Sequence, residues 1–256
     1  MNVVVCVKQV PDPNSPGQLD PTSHRLRRDG ELVLDPGDEF GVEAGLQLAE
    51  KHGGEVTIVS MGPDRGVDAV RKALAMGAAK GVLITDDALA GSDALTTAKV
   101  LAAAIRKQEF DVIITATEST DGYTGVVPQM LAGLLDIPAV TFAKSVVYEG
   151  DTLRVERQTE TGIEVVEAKL PVVISVTAGV NEPRYPSLKG IMGAKQKPLD
   201  RPTVADLGLD GLGGASAGQK ITAVAAAPKR AAGEIISDDG EAARRIVDFL
   251  ADRKVI

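Results

Sequence analysis

The run Thr115 to Gly125, rich in hydroxyl and glycine residues, is the stretch whose composition most plainly suggests chemistry. An apolar triplet, Val112-Ile113-Ile114, precedes it, and Met130, Leu131, Leu134 and Leu135 follow near helical spacing. The order is strand, loop, helix. Pro128 has no amide hydrogen and is tolerated only in a first helical turn, so the helix starts between Thr124 and Val127. Free amides of that turn then point over the strand's carboxyl end, where an anion such as a phosphate is favoured. No lysine or arginine lies between Asp111 and Leu135, so a phosphate here is expected to be held by backbone amides and by Thr117, Ser119, Thr120 and Thr124. That arrangement suits binding without phosphoryl transfer. Neither GxGxxG nor GxxxxGK[ST] is present, and an ordinary strand-to-helix turn stands beside the nucleotide reading.

Other reactive residues are sparse. Cys6 lies in an apolar run with no histidine or second cysteine nearby, which reads as a small buried hydrophobe. His24 and His52 are far apart, so neither a nucleophile with its base nor a structural zinc site can be assembled. The chain therefore reads as a non-enzyme. A net charge of -8, from 36 acidic against 28 basic residues, argues against nucleic acid and anionic membranes as principal partners. One cysteine, a strand-like N-terminus and the lack of a long apolar run suggest a cytoplasmic protein. Aromatics make up only 3% of a chain that is 44% hydrophobic, so the interior must be Val, Ile, Leu and Ala, as in a parallel sheet flanked by helices.

The elements that would position the loop can be taken in order. Val3 to Val7 reads as a buried central strand, with Lys8 at its carboxyl end. A polar excursion from Pro11 to Asp35 follows, in which Arg28 to Glu31 suggests a hairpin turn. Asp38 is positioned to cap a helix running to His52. Strand Glu55 to Met61, a helix from about Gly66 to Met76, strand Val82 to Ile84 and a helix from Asp93 to Gln108 complete the approach. Four alternations of strand and helix imply an open, doubly wound, mainly parallel α/β sheet, with ligands beyond its strands' carboxyl ends. From Thr141 onward, half-exposed strands through Val172 to Val176, joined by tight turns, suggest an antiparallel edge. Ala178 to Pro198 places Tyr185, Leu188, Ile191 and Met192 among cations, the pattern of a partner-docking segment or of a loop tucked onto its own domain. A glycine-rich linker, Leu207 to Lys220, divides a domain of residues 1–206 from an arm of residues 207–256. The amphipathic helix in that arm, Gly240 to Arg253, is expected to pack on another subunit.

With these pieces assembled, the sequence resembles the beta subunits of the electron transfer flavoprotein family from Val3 to about Pro198. The resemblance is carried by CVKQVPDP at Cys6 to Pro13, RKALAMGA at Arg71 to Ala78, GLLDIPAVTFA at Gly133 to Ala143 and VNEPRYPSLKGIMGAKQKP at Val180 to Pro198. It implies a Rossmann-like, adenine-nucleotide-binding fold. It also implies a heterodimer with an alpha subunit that holds most of the FAD site, and a structural AMP in this chain. By position, AMP would contact Cys6, Asp35, Pro36, Gly37, Asp38 and Met61. The loop would add Ala116, Thr117, Glu118, Ser119, Thr120 and Asp121, then Gly122, Tyr123, Thr124, Gly125, Val126 and Val127. Partner recognition would fall on Pro183, Arg184, Tyr185, Pro186 and Ser187, the anchor Leu188, and Lys189, Gly190, Ile191 and Met192. The implied function is carriage of electrons from flavoprotein donors, such as acyl-CoA dehydrogenases in fatty acid oxidation, towards a membrane quinone oxidoreductase. Two departures stand out. Gln158 occupies a position that is often glutamate in the family, and the loop reads TDGYTGVVPQ from Thr120 to Gln129. The Asp-Gly-x-Thr arrangement resembles the electron-bifurcating branch, so a second FAD in this chain is the alternative to AMP. A nucleotide-sensing module similar to universal stress proteins is a further alternative.

Overall fold

Nine strands form one sheet in the order β11-β5-β4-β1-β6-β10-β7-β8-β9. In chain order these are β1 (Val3–Cys6), β4 (Val56–Met61), β5 (Lys80–Ile84), β6 (Val112–Ala116), β7 (Ala139–Glu149), β8 (Thr152–Thr159), β9 (Gly162–Lys169), β10 (Val172–Val176) and β11 (Leu199–Asp200). A separate two-stranded sheet joins β2 (Gln9–Pro11) to β3 (Leu32–Leu34). The helices are α1 (Pro36–His52), α2 (Val67–Met76), α3 (Ala94–Ile105), α4 (Val127–Leu135), α5 (Leu188–Ala194) and α6 (Ala242–Asp252). This computed structural model describes residues 1–225, 228, 233 and 235–256, so the part of the expected arm at positions 226, 227, 229–232 and 234 lies outside the described residues.

The central strand β1 pairs in parallel with β4 on one side and β6 on the other, with Val3 opposite both Val56 and Val112. Its residues are fully apolar because both faces are covered. Val3 and Val5 face a core shared with α1 and α2, while Val4 and Cys6 face one shared with α3 and α4. Helix α1 lies close on β1 because it carries glycine where it crosses. A Cβ at Gly45 would stand 2.9 Å from Val5 Cγ2 and 3.2 Å from Val3 Cγ1.

Four expectations are corrected. Val172–Val176 does not continue the antiparallel edge, because β10 inserts in parallel between β6 and β7 and leaves only β7, β8 and β9 antiparallel. Its five buried residues suit an interior position, and their unbroken burial, Ser175 included, distinguishes them from the alternating β8. The Arg28–Glu31 turn does not join a local hairpin. Its flanking strand β3 pairs with β2, across the whole excursion, and Leu19 bridges Leu26 inside it. Asp38 does not cap α1. Asp35 does, accepting from Gly37 N at 2.9 Å, while Asp38 is buried within the first turn. Finally, Leu207 to Lys220 is not a free linker. Leu207, Leu209 and Leu212 pack against the α3 and α4 face, and Gly213 and Gly214 approach the carbonyls of Ala88 and Ala90 too closely for a side chain.

The chain forms two compact units, Met1–Ile221 and Thr222–Ile256. In the second, α6 displays Ile246, Val247 and Phe249, each about half exposed. No helix among the described residues is long and apolar enough to cross a membrane. The fit of α1 on β1 is tested by Gly45→Ala. In an exposed helix this change gains about 1 kcal/mol, but here the added methyl overpacks the contact and should cost about 1–3 kcal/mol. A denaturation midpoint equal to or above that of the parent protein contradicts the packing described.

Candidate functional site

A cleft of about 540 Å³ opens beyond the carboxyl ends of β1, β4 and β6. Chain direction makes this the place for it: β1 runs on to the small sheet and α1 on one face, and β6 to α4 on the other, so the connections part here. Of the expected residues, Cys6, Asp38, Met61, Ala116, Thr117, Glu118, Ser119, Gly122, Thr124, Gly125 and Val127 line the cleft. Asp35, Pro36, Gly37, Thr120, Asp121, Tyr123 and Val126 are not among its lining residues.

The residues behind the wall hold the loop in place. Fully buried Asp35 accepts from Thr120 N at 2.8 Å and from Thr120 Oγ1 at 3.2 Å while its other oxygen caps α1. One carboxylate thus joins the start of a helix to the loop after β6. Gly37 leaves room for that carboxylate, since a Cβ there would lie 3.3 Å from Asp35 Oδ1, tighter than an ordinary contact. Tyr123 and Gly125 turn the chain with φ of 49° and 63°, the left-handed region that suits glycine. Helix α4 then begins at Val127 with Pro128 in its first turn, and Met130 N donates to Val126 O.

Sequence reasoning expected no cation at this loop, and the structure corrects that. Lys8 and Arg28 reach it from outside, both making ion pairs with Asp121, whose side chain is 3% exposed; the Lys8 Nζ to Oδ1 distance is 2.7 Å. Burial pushes the Asp121 carboxyl up, but the charge of Lys8 and hydrogen bonds from Lys8, Arg28 and Ser119 outweigh it and hold the carboxyl below its ordinary value. Arg65 also lines the cleft, donating to the carbonyls of Arg28 and Gly30. Burial, and then the neighbouring Asp35, pushes the Asp38 carboxyl well above its usual range even though it accepts from Lys8 N at 2.7 Å. Burial and Asp38 together raise the Cys6 thiol to about 12, so it remains protonated and inert at neutral pH. Lys8 was visible at the strand end, whereas Arg28 and Arg65 sit far off in sequence with no pattern to mark them.

The segment expected to dock partners is placed elsewhere. Tyr185, Leu188, Ile191 and Met192 are exposed, Leu188 at 75% and Tyr185 at 96%. Their backbone is nonetheless tightly held. Arg184 does not face outward as an open cation: it binds Glu43, whose side chain is 5% exposed, at 2.7 Å, and also Glu50, both on α1. Burial raises the Glu43 carboxyl, but hydrogen bonds from Arg184 and Gln47 outweigh this and leave it lowered, while Glu50 and Glu43 raise the Arg184 guanidinium. Ser187 caps α5 by accepting from Gly190 N at 3.0 Å. Gly190 sits against the Ala75 carbonyl, leaving no room for a side chain. Arg71 donates to the Ala194 and Lys197 carbonyls, and Lys197 Nζ donates to those of Leu74 and Ala78. The Arg71 to Ala78 motif is therefore the bed on which α5 lies.

Comparison with known proteins adds the family to this geometry. The model of the electron transfer flavoprotein domain family matches residues 25–207. The electron transfer flavoprotein subunit beta of Mycobacterium leprae is 41% identical, over 100% of this chain and 99% of its own. That of Thermoanaerobacterium thermosaccharolyticum is 41% identical and that of Bacillus subtilis 36%, each over the whole of both chains. With likeness of this extent, the chain belongs to the electron transfer flavoprotein family, among its beta subunits.

Proposed function

We propose that this chain is the non-catalytic half of a heterodimeric electron carrier. An alpha subunit holds most of the FAD, and this chain holds a structural AMP in the cleft. Electrons come from flavoprotein dehydrogenases, such as those acting on acyl-CoA, and go towards a membrane quinone oxidoreductase. FAD, when bound, supplies the redox chemistry, and this chain supplies position and docking. The observation that carries the reading is Leu188, exposed on a short helix whose backbone is immobilised from below. A small apolar anchor within a polar surround permits fast and short-lived encounters, as a carrier serving several partners requires.

The cleft suits an adenine nucleotide on its own residues. Met61, Leu89, Leu101 and Val127 give it apolar wall, and the α4 start with Gly122, Thr124 and Gly125 gives amides and hydroxyls. A second reading, FAD in place of AMP, is supported by Gly122 and Thr124 of the Asp-Gly-x-Thr run both facing the cleft. Exposed α6 residues suit packing on the alpha subunit. A cytoplasmic location accords with these roles.

Two outcomes test this, and a third tests the ion pair that fastens the segment. Leu188→Ala should slow electron uptake from dehydrogenases by about ten- to thirtyfold while FAD content and the heterodimer survive; loss of FAD instead contradicts a docking role. Acid release from the co-expressed heterodimer should yield one FAD and one AMP per pair, two FADs should appear if the second reading holds, and a single FAD per pair with no AMP contradicts both. Arg184→Ala should cost about 1–3 kcal/mol, discounted for a guanidinium one-third exposed. Because the folded Glu43 is held below its ordinary value, its contribution is full above the unfolded value and fades as pH falls through the folded one. The stability gap between wild type and Arg184→Ala should therefore close in acid, as read by denaturation midpoints from pH 7 downward.

A further inference from the structure

The wall of the cleft nearest the α4 loop contains two cations that no pattern in the loop itself encodes. Lys8 and Arg28 both line the cleft, with side chains 42% and 36% exposed, and both bind the same carboxylate. Asp121 is not part of the lining and is almost wholly buried, so it sits behind the pair. Lys8 Nζ also reaches Ser119 Oγ at 3.4 Å, on the loop, and Arg28 donates to the Gln9 carbonyl at 3.3 Å. Two long side chains from opposite ends of the excursion are thereby held at one point, with one negative charge answering two positive ones.

We propose that Lys8 and Arg28 form a phosphate clamp and that Asp121 is its positioning residue, making the cleft selective for a phosphorylated nucleoside over the nucleoside alone. This rests on the nucleotide reading of the cleft and adds to it the groups that grip the phosphate. Three carboxylates share the lining. Asp93 is engaged at the start of α3, accepting from Thr96 N at 2.8 Å and Gly218 N at 2.7 Å, and Asp38 accepts from the Lys8 amide. Glu118 lies beside Gly125. The first two are turned to backbone amides, which leaves the cation pair and the α4 amides as the groups offered to an anion.

The test uses the full heterodimer, stripped of bound nucleotide and titrated with AMP and with adenosine. Wild type should bind AMP at least about tenfold more tightly than adenosine, with the AMP affinity falling as salt rises. Lys8→Gln and Arg28→Gln should each weaken AMP by about tenfold or more and leave adenosine unchanged. Asp121→Asn separates positioning from charge: removing a negative charge alone would tighten AMP, whereas releasing the two cations weakens it. Weaker AMP with unaltered adenosine supports the proposal, and tighter AMP overturns the role of Asp121. Equal binding of AMP and adenosine by wild type, or unchanged AMP affinity in the Lys8 and Arg28 variants, overturns the clamp but leaves an adenosine site standing. Failure to bind either ligand overturns the nucleotide reading and the clamp together.

Discussion

The parallel pairing of Val3–Cys6 with strands on both sides is the constraint from which the rest follows. A strand hydrogen-bonded along both edges and packed on both faces leaves no solvated surface, which is why its residues are Val and Cys alone. Continuing the chain from such a strand requires leaving the sheet at its carboxyl end. Here the chain departs towards α1, while its neighbour β6 departs towards α4 on the opposite face. The gap between those departures is the cleft. Its position is thus a consequence of strand order, and only its lining is free to vary with the side chains of the loops.

Two buried carboxylates give that lining its form. Asp35 holds the loop after β6 to α1, and Asp121 holds it to Lys8 and Arg28. A loop of glycine, serine and threonine would otherwise sample many conformations, and ordering it on binding would cost about 1–2 kcal/mol per residue. With its middle fastened beforehand at Thr120 and Asp121, the loop would spend less of a ligand's binding energy on being ordered. Fastening by charge also explains why the loop carries no cation of its own: the positive groups sit on the neighbouring excursion and meet the loop through a carboxylate.

How much of this was legible in the sequence depended on whether the signal was local. The strand–loop–helix unit from Val112 to Leu135 was readable, since an apolar run, small residues and a first-turn proline each act within a few positions. The cap of α1 was misplaced by three residues. Asp35 and Asp38 both qualify locally, and burial beneath Lys8, a tertiary fact, decides between them. Val172–Val176 was assigned to the antiparallel edge because the turn before it is as short as the hairpins. Sheet order is set by which partner buries the strand, and spacing alone does not contain that. Arg28, Arg65 and the packed glycines at 213 and 214 were invisible for the same reason, as each acts on residues far along the chain.

The segment from Pro183 to Met192 is held at the opposite rim of the same sheet. In a parallel α/β arrangement a helix ends where the next strand begins, so the carboxyl end of α2 lies at the amino end of β5. Lys197 bonds the carbonyls of Leu74 and Ala78 there, and Arg184 meets Glu50 near the end of α1, which in turn precedes β4. Helix α5 is therefore fixed to the rim away from the cleft. A nucleotide in the cleft and a partner on Leu188 would act through one rigid sheet without touching each other. On the proposed reading this separation suits a structural nucleotide, which would leave the surroundings of Leu188 free to meet different partners.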